Sequence, residues 1–297
     1  MPTTAAEENT WYSWYQTFDE SHNPEARRQW YSEAARAYSW ARPRYPDDLV
    51  EQVISQLQLQ QSLAASSVLG SILEIGCGPG IATVAFASKG FRIQAIEPSA
   101  AACKLAQLSC QEYGDRITIH NHTFENYSLN NQQFDAVLAA TSFHWLSPEI
   151  ACKKSAAALK PGGSLILLWA TPPQPGADLC QYLQPVYERY GLDDLGREQQ
   201  RDRAYYQGNF EMFAKTVGNS GHFQPSPVEI ETHHSIYSIE KYLALLSTLS
   251  GYIALETQRR EELLTELGDR LAEKLETGAL ETTHYFASQV ASLIAKA

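Results

Sequence analysis

The run Ser71-Ile72-Leu73-Glu74-Ile75-Gly76-Cys77-Gly78-Pro79-Gly80 limits what this chain can fold into more than any other stretch. Its short apolar start reads as a strand buried on both faces, as in a parallel sheet. Glycines then take alternate positions, at 76, 78 and 80. Without Cβ, glycine turns sharply and lets a ligand lie against the backbone. Ile81-Ala82-Thr83-Val84-Ala85-Phe86-Ala87 reads as a helix whose first N–H groups point back at whatever the loop holds.

Strand, glycine loop and helix also build dinucleotide and triphosphate sites. The dinucleotide fingerprint is G-x-G-x-x-G/A. Counted from Gly76 and Gly78, its third glycine position holds Ile81. No G-x-x-x-x-G-K-[ST] occurs, which argues against a P-loop. Glu74 would repel a pyrophosphate, whereas a carboxylate there suits a ligand with an ammonium group. The second acid of interest is Glu97, at the end of Arg92-Ile93-Gln94-Ala95-Ile96-Glu97. An acid ending the next strand accepts hydrogen bonds from ribose hydroxyls in doubly wound folds, so Glu97 alone does not separate NAD from other nucleosides.

With Glu74 to Gly80 and Glu97 in place, the chain resembles the class I S-adenosylmethionine-dependent methyltransferases, whose first motif is an acid followed by G-x-G-x-G. The resemblance implies S-adenosyl-L-methionine as cofactor, cradled by Glu74, Gly76, Cys77, Gly78 and Gly80, with Glu97 and Pro98 at its ribose. It also implies a doubly wound, mostly parallel seven-stranded α/β sheet of Rossmann-like type, with an N-terminal helical lid and helical cap insertions.

The pattern along the chain agrees. Strands are expected at about Ile72–Ile75, Arg92–Glu97, Arg116–Asn121, Phe134–Ala140 and Ser164–Trp169, with helices at Ile81–Lys89, Ser99–Tyr113 and Pro148–Leu159. That alternation means a parallel sheet covered on both faces. Lys160-Pro161-Gly162-Gly163 reads as the turn before the fifth strand. Glu25 to Trp40 and Asp47 to Ala65 read as helices, the first stopped by Pro43 and Pro46. After a proline-rich linker at Thr171–Gly176, helices are expected at Asp178–Tyr190, Gln207–Asn219, Ile239–Leu249 and Leu255–Glu276. Strands are expected at Val228–Tyr237 and within Thr282–Ala295. The expected organisation is an aromatic-rich extension over 1–23, a lid over 24–66, the donor-binding core over 67–170, and cap helices with closing strands of the same domain over 171–297.

The chain has 297 residues, 44% of them hydrophobic, enough for a large α/β domain. No apolar run is long enough to span a bilayer. No signal peptide is visible, and the five scattered cysteines include no C-x-x-C, so a reducing cytoplasm is expected. A net charge of −11 opposes nucleic-acid binding.

Further site residues follow from the family. An acid just past the third strand meets the adenine amino group in such enzymes, with a backbone amide beside it; Phe124 and Glu125 stand there. Thr141-Ser142-Phe143-His144-Trp145-Leu146 follows the fourth strand and resembles a subgroup of type 11-like methyltransferases. Ligands of open α/β sheets sit at the carboxyl ends of strands, so this loop lies over the methyl donor. Thr141 is expected to contact it. His144 is the candidate general base, since histidine titrates near neutral pH, or else a residue that only shapes the pocket. Trp145 offers packing or a cation–π face to a sulfonium. Tyr38 and Arg42, in Tyr38-Ser39-Trp40-Ala41-Arg42-Pro43-Arg44-Tyr45-Pro46, resemble that subgroup's lid motif; Arg42 would pair with the donor carboxylate. Tyr242-x-x-Leu245-Leu246 and the following segment also match, so the resemblance covers about residues 34–296.

His120-x-His122 and His233-His234 lack a third ligand at metal-site spacing, so no metal is expected. The activity implied is in-line methyl transfer to a small-molecule acceptor, apolar or a carboxylic acid. Trp169, Tyr205, Tyr206, Phe210 and Phe213 are candidate walls of the acceptor pocket. Two other readings stay open: a non-catalytic S-adenosylmethionine-binding sensor, and an NAD-dependent oxidoreductase.

Overall fold

Strand register explains most of the architecture. In a computed structural model, residues 24–61, 70–129, 133–198 and 200–295 are described. The aromatic run at 11–15 and the expected continuation of the second helix to Ala65 lie outside them. β1 (Ser71–Ile75) pairs in parallel with β2 (Arg92–Glu97) and with β4 (Phe134–Ala140); β2 pairs with β3 (Ile117–Asn121), and β4 with β5 (Leu159–Ala170). β9 (Ala279–Leu293) runs antiparallel to β5. Two short strands, β6 (Gln174–Pro175) and β7 (Phe223–Pro225), and the longer β8 (Glu229–Ser238) also pair with β9. Thr283 of β9 is opposite both Gln174 and His234, and Ser292 is opposite both Ser164 and Gln224. β5 and β6 therefore lie on one flank of β9, with β7 and β8 on the other. Seven principal strands follow the order β3-β2-β1-β4-β5-β9-β8, the doubly wound α/β sheet expected from the sequence.

Period-two alternation divides the core into two layers. Leu73, Ile75, Val137, Ala139, Leu165, Leu167 and Trp169 face one side of the sheet; Ile72, Ala136, Leu138, Ile166 and Leu168 face the other. The Lys160–Gly163 turn is real but lies within β5: Phe134 is opposite Leu159 while Ala136 is opposite Ser164, so the intervening residues bulge out.

The first helix, α1 (Pro24–Ala41), is followed by α2 (Asp47–Gln61). α3 (Ile81–Ser88) and α4 (Ala100–Ser109) follow β1 and β2. α4 is capped by Ser99, whose hydroxyl accepts from Ala102 N at 3.2 Å. α5 (Pro148–Ala158) precedes β5 and starts with proline, whose missing N–H costs nothing at a first helical position. The sequence missed α7 (Asp193–Glu198) and α10 (Ser250–Ile253), each shorter than two helical turns. α6 (Ala177–Arg189), α9 (Ile239–Leu246) and α11 (Thr257–Lys274) build a third apolar cluster around Leu183, Tyr242, Leu246 and Leu267. α8 (Arg203–Asn219) begins four residues before its expected start because Asp202 caps it, accepting from Tyr205 N at 2.8 Å.

α1 is fastened across the carboxyl ends of the strands. The Ser32 and Ser99 hydroxyls lie 2.8 Å apart, the Tyr237 hydroxyl donates to Ala41 O at 2.7 Å, and Arg42 Nε donates to Thr248 Oγ1 at 2.9 Å. Among the described residues, no helix is long and apolar enough to cross a membrane.

Candidate functional site

Each glycine of the loop after β1 is required for a different reason. Gly76 has φ 66°, and a Cβ there would stand 2.8 Å from Ser142 Cβ. Gly80 has φ 90° and precedes α3; its Cβ would press on Ala106 Cα at 3.3 Å. Gly78 has φ 53°, and a Cβ there meets no protein atom within 4 Å. That open space is a cavity of about 530 Å³ at the carboxyl ends of β1, β2 and β4, covered by Ala35, Tyr38 and Arg42. Such a crevice is where doubly wound sheets bind ligands.

Glu74 stands at the base of this cavity and is only 1% exposed. Its Oε2 accepts from the Thr83 hydroxyl at 2.6 Å, while Oε1 has no hydrogen-bond partner among the described residues. Burial holds its carboxyl up at about 7, the Thr83 bond opposing the shift and the Glu97 charge adding to it. Glu97 lines the next part of the wall. One of its oxygens accepts from Gly78 N at 2.9 Å and the other from Ser99 N at 2.8 Å. Burial raises its carboxyl as well, against these two N–H groups. Asn121 Nδ2 donates to the carbonyls of Glu97 and Pro98, both at 3.0 Å, fixing that corner.

The loop after β3 places Thr123, Phe124, Glu125 and Asn126 on the wall. Thr123 Oγ1 is buried, with no hydrogen-bond partner among the described residues. After β4, Thr141 lines the cavity at φ 55°, a left-handed conformation rare for a β-branched residue. Its hydroxyl accepts from Ala170 N at 3.1 Å and lies 3.0 Å from the Tyr45 hydroxyl.

Of the sequence-predicted residues, Tyr38, Arg42, Glu74, Gly76, Cys77, Gly78, Glu97, Pro98, Phe124, Glu125 and Thr141 meet on this one wall. Gly80 lies behind it, as the hinge into α3. Arg42 spends Nε and Nη2 on Thr248, its guanidinium lying 4.9 Å from the Tyr38 ring centroid. Sequence reasoning missed Thr83, Thr123 and Tyr45. Tyr45 was visible in the Arg42–Pro46 motif; the two threonines carried no local signal.

Two groups of expected residues stand off the cavity wall. His144 does not line the cavity. Its ring stacks on Phe213 at 5.7 Å and leans on Trp145 at 5.0 Å, and burial lowers it to about 4. Trp145 itself does line the wall. The aromatic candidates for an acceptor wall pack against one another instead. Trp169 stacks on Phe210 at 5.1 Å and on Phe213 at 6.4 Å, and Tyr206 stacks on Phe210 at 6.3 Å, joining α8 to β5. Tyr205 is exposed, with Arg201 over its ring. His120 and His122 pack on Tyr127, and His233 packs on Phe286. Among the described residues no three His, Cys, Asp or Glu gather as a metal would require.

This fold, with an acid and alternating glycines after β1 and an acid closing β2, is that of the class I methyltransferases. Residues 72–163 match the family of methyltransferase domains. The chain is similar to an uncharacterized methyltransferase of Mycobacterium tuberculosis, 26% identical over 141 residues, which are 48% of this chain and 52% of that one. It is also similar to an uncharacterized methyltransferase of Schizosaccharomyces pombe, 23% identical over 78% of this chain and 83% of the relative. The chain thus spans about half the length of the mycobacterial relatives that it matches. In fold it resembles a protein of Anaeromyxobacter dehalogenans described as a type II methyltransferase, with TM-score 0.56 and 19% identity over 84% of this chain and 97% of that one.

Proposed function

We propose that this protein transfers the methyl group of S-adenosylmethionine to a small-molecule acceptor. The Glu74 carboxylate carries the reading. A buried acid on a cavity wall, with one oxygen lacking a hydrogen-bond partner among the described residues, calls for a cation, and a ligand ammonium supplies charge and hydrogen bonds together. The rest of the wall fits the same ligand. Glu97 keeps lone pairs for two ribose hydroxyls while its backbone partners hold it still. Thr123 and Glu125 line the end of the cavity where the purine would lie. Arg42 stands where a carboxylate would be met, and the open side of Gly78 admits the nucleoside.

When bound, the donor supplies a sulfonium methyl that an acceptor oxygen, nitrogen or carbon displaces in line. The protein need only orient the partners and exclude water. α1 closes the top of the cavity, and Tyr45, Trp145, Leu146, Pro43 and Ala170 give the remaining wall an apolar character that favours an apolar acceptor. A carboxylic acid acceptor would compete for Arg42, the one cation among the described lining residues. All five cysteines are buried, in keeping with a reducing compartment such as the cytoplasm.

Titration with S-adenosylhomocysteine tests the reading, followed by a labelled-donor screen of acceptors. Binding without transfer to any acceptor would favour a sensor. Binding of NAD in its place would remove the proposal.

A further inference from the structure

The donor site has one wall whose support comes from outside it. Lys154 lies midway along α5 and is half-buried. Its ammonium donates to three backbone carbonyls of the loop after β3: Phe124 O at 2.6 Å, Glu125 O at 2.9 Å and Tyr127 O at 2.5 Å. A lysine ammonium has three N–H donors and no acceptor, so one loop takes its whole capacity. The same charge lies 5.2 Å from the Phe124 ring centroid.

The shape of that loop gives the arrangement its consequence. Tyr127 N donates to Thr123 O at 3.0 Å, so residues 123–127 form a single helical turn. In such a turn, carbonyls point to one end and N–H groups to the other. A cation at the carbonyl end holds the turn as it would a helix C-terminus. The N–H groups of Phe124, Glu125 and Asn126 then face away from Lys154, and residues 123–126 line the cavity. The flanks are fixed separately: Asn121 binds the Glu97–Pro98 corner, and Gln94 Nε2 donates to the Tyr127 hydroxyl at 3.2 Å. Among the described contacts, the middle of the turn rests on Lys154.

We propose that Lys154 is a positioning residue for the purine end of the donor site: by gathering three carbonyls at its ammonium, it aims the opposed N–H groups of the turn at the ring edge. The inference rests on the donor-binding reading above. It assigns to α5, which does not touch the nucleoside, control over how well a purine is distinguished.

The test uses the full chain and its Lys154→Met and Lys154→Arg variants, titrated with S-adenosylhomocysteine and with S-inosylhomocysteine, in which a carbonyl replaces the amino group of the ring. Lys154→Met keeps the apolar stem and removes the donors. The expected result is about a ten- to hundredfold loss of affinity for the adenosine ligand. The ratio between the two ligands should move toward one, most of the loss should be recovered in Lys154→Arg, and thermal stability should stay close to that of the parent. Unchanged affinity in Lys154→Met overturns the proposal. So does an equal loss for both ligands with the ratio kept, which would make Lys154 a support of the fold alone. If Lys154→Met does not fold, Lys154→Gln reads the same ratio. A parent protein that binds neither ligand removes the donor-site reading itself, a result distinct from either failure.

Discussion

The Tyr45 hydroxyl lies 3.0 Å from the Thr141 hydroxyl, joining the segment between α1 and α2 to a residue held at φ 55° at the end of β4. The Thr141 hydroxyl also accepts the Ala170 N–H, and the Thr141 N–H donates to Leu168 O at 2.7 Å. The strained turn is thus bonded from β5 and from the segment before α2. Thr141→Val should destabilise the protein by about 1–3 kcal/mol, because it strips an acceptor from a backbone N–H. Tyr45→Phe should cost only about 0.5–1.5 kcal/mol, since Ala170 keeps its partner. Urea unfolding of both variants checks the order; a larger loss in Tyr45→Phe would contradict it.

Glu74 should give the ligand-free protein a distinctive pH response. Its carboxyl titrates at about 7 when folded against an ordinary 4.5. The folded state therefore holds more protons between these values, so this group's contribution is complete below 4.5 and is lost as the pH rises through 7. The loss is at most about 3 kcal/mol. Glu74→Gln should remove it, so the variant gains on the parent between about pH 5 and pH 8. Donor binding by the parent should weaken as the pH falls below 7, where the proton competes with the ligand ammonium. Parallel stability curves for parent and variant would disprove the assignment.

Glu97→Ala should weaken S-adenosylhomocysteine by about tenfold to a thousandfold. It removes the proposed ribose acceptor and also frees the N–H groups of Gly78 and Ser99. Calorimetry showing the parent affinity would take Glu97 out of the site.

At Gly78, valine would project into the cavity rather than into protein. Gly78→Val should abolish donor binding while the folded structure persists, at a strain cost of about 1–2 kcal/mol for the left-handed backbone. Gly76→Ala should instead act on the fold, through its clash with Ser142. Circular dichroism and calorimetry on the two variants separate these outcomes.

His144→Asn should keep most of the turnover, because the ring stacks on Phe213 and Trp145 rather than facing the cavity. Loss of a general base would cost about 10²–10⁴-fold. Burial lowers this histidine to about 4, so its neutral-state contribution to stability is complete above 6.5 and is lost as the pH falls toward 4. A rate limb near pH 6.5 that vanishes in the variant would restore the base role.

Much of the fold was legible because its signals are local. Ile72–Ile75, the three alternating glycines and the acid at 97 lie in short windows, and their spacing alone fixes strand, turn and helix. The Glu74 and Glu97 positions were readable for the same reason. What escaped depends on contacts far apart in sequence. Thr83 and Thr123 matter only because the fold leaves them against a buried carboxylate and in a cavity wall. His144 follows the right strand, but the 3₁₀ turn at Phe143–Trp145 leaves its ring on Phe213 and sends Trp145 to the wall. Aromatic content near α8 said nothing about whether those rings face a cavity or each other.

β9 bears on how this protein is made. Because β5 and β6 pair with one flank of it and β7 and β8 with the other, no part of that half of the sheet closes before residues 279–293 leave the ribosome. Until then β5 presents an open, apolar edge of the kind that recruits neighbouring chains. A chain lacking β9 would carry its glycine loop and both acids yet leave that edge open, so β9 is the strand that completes the sheet.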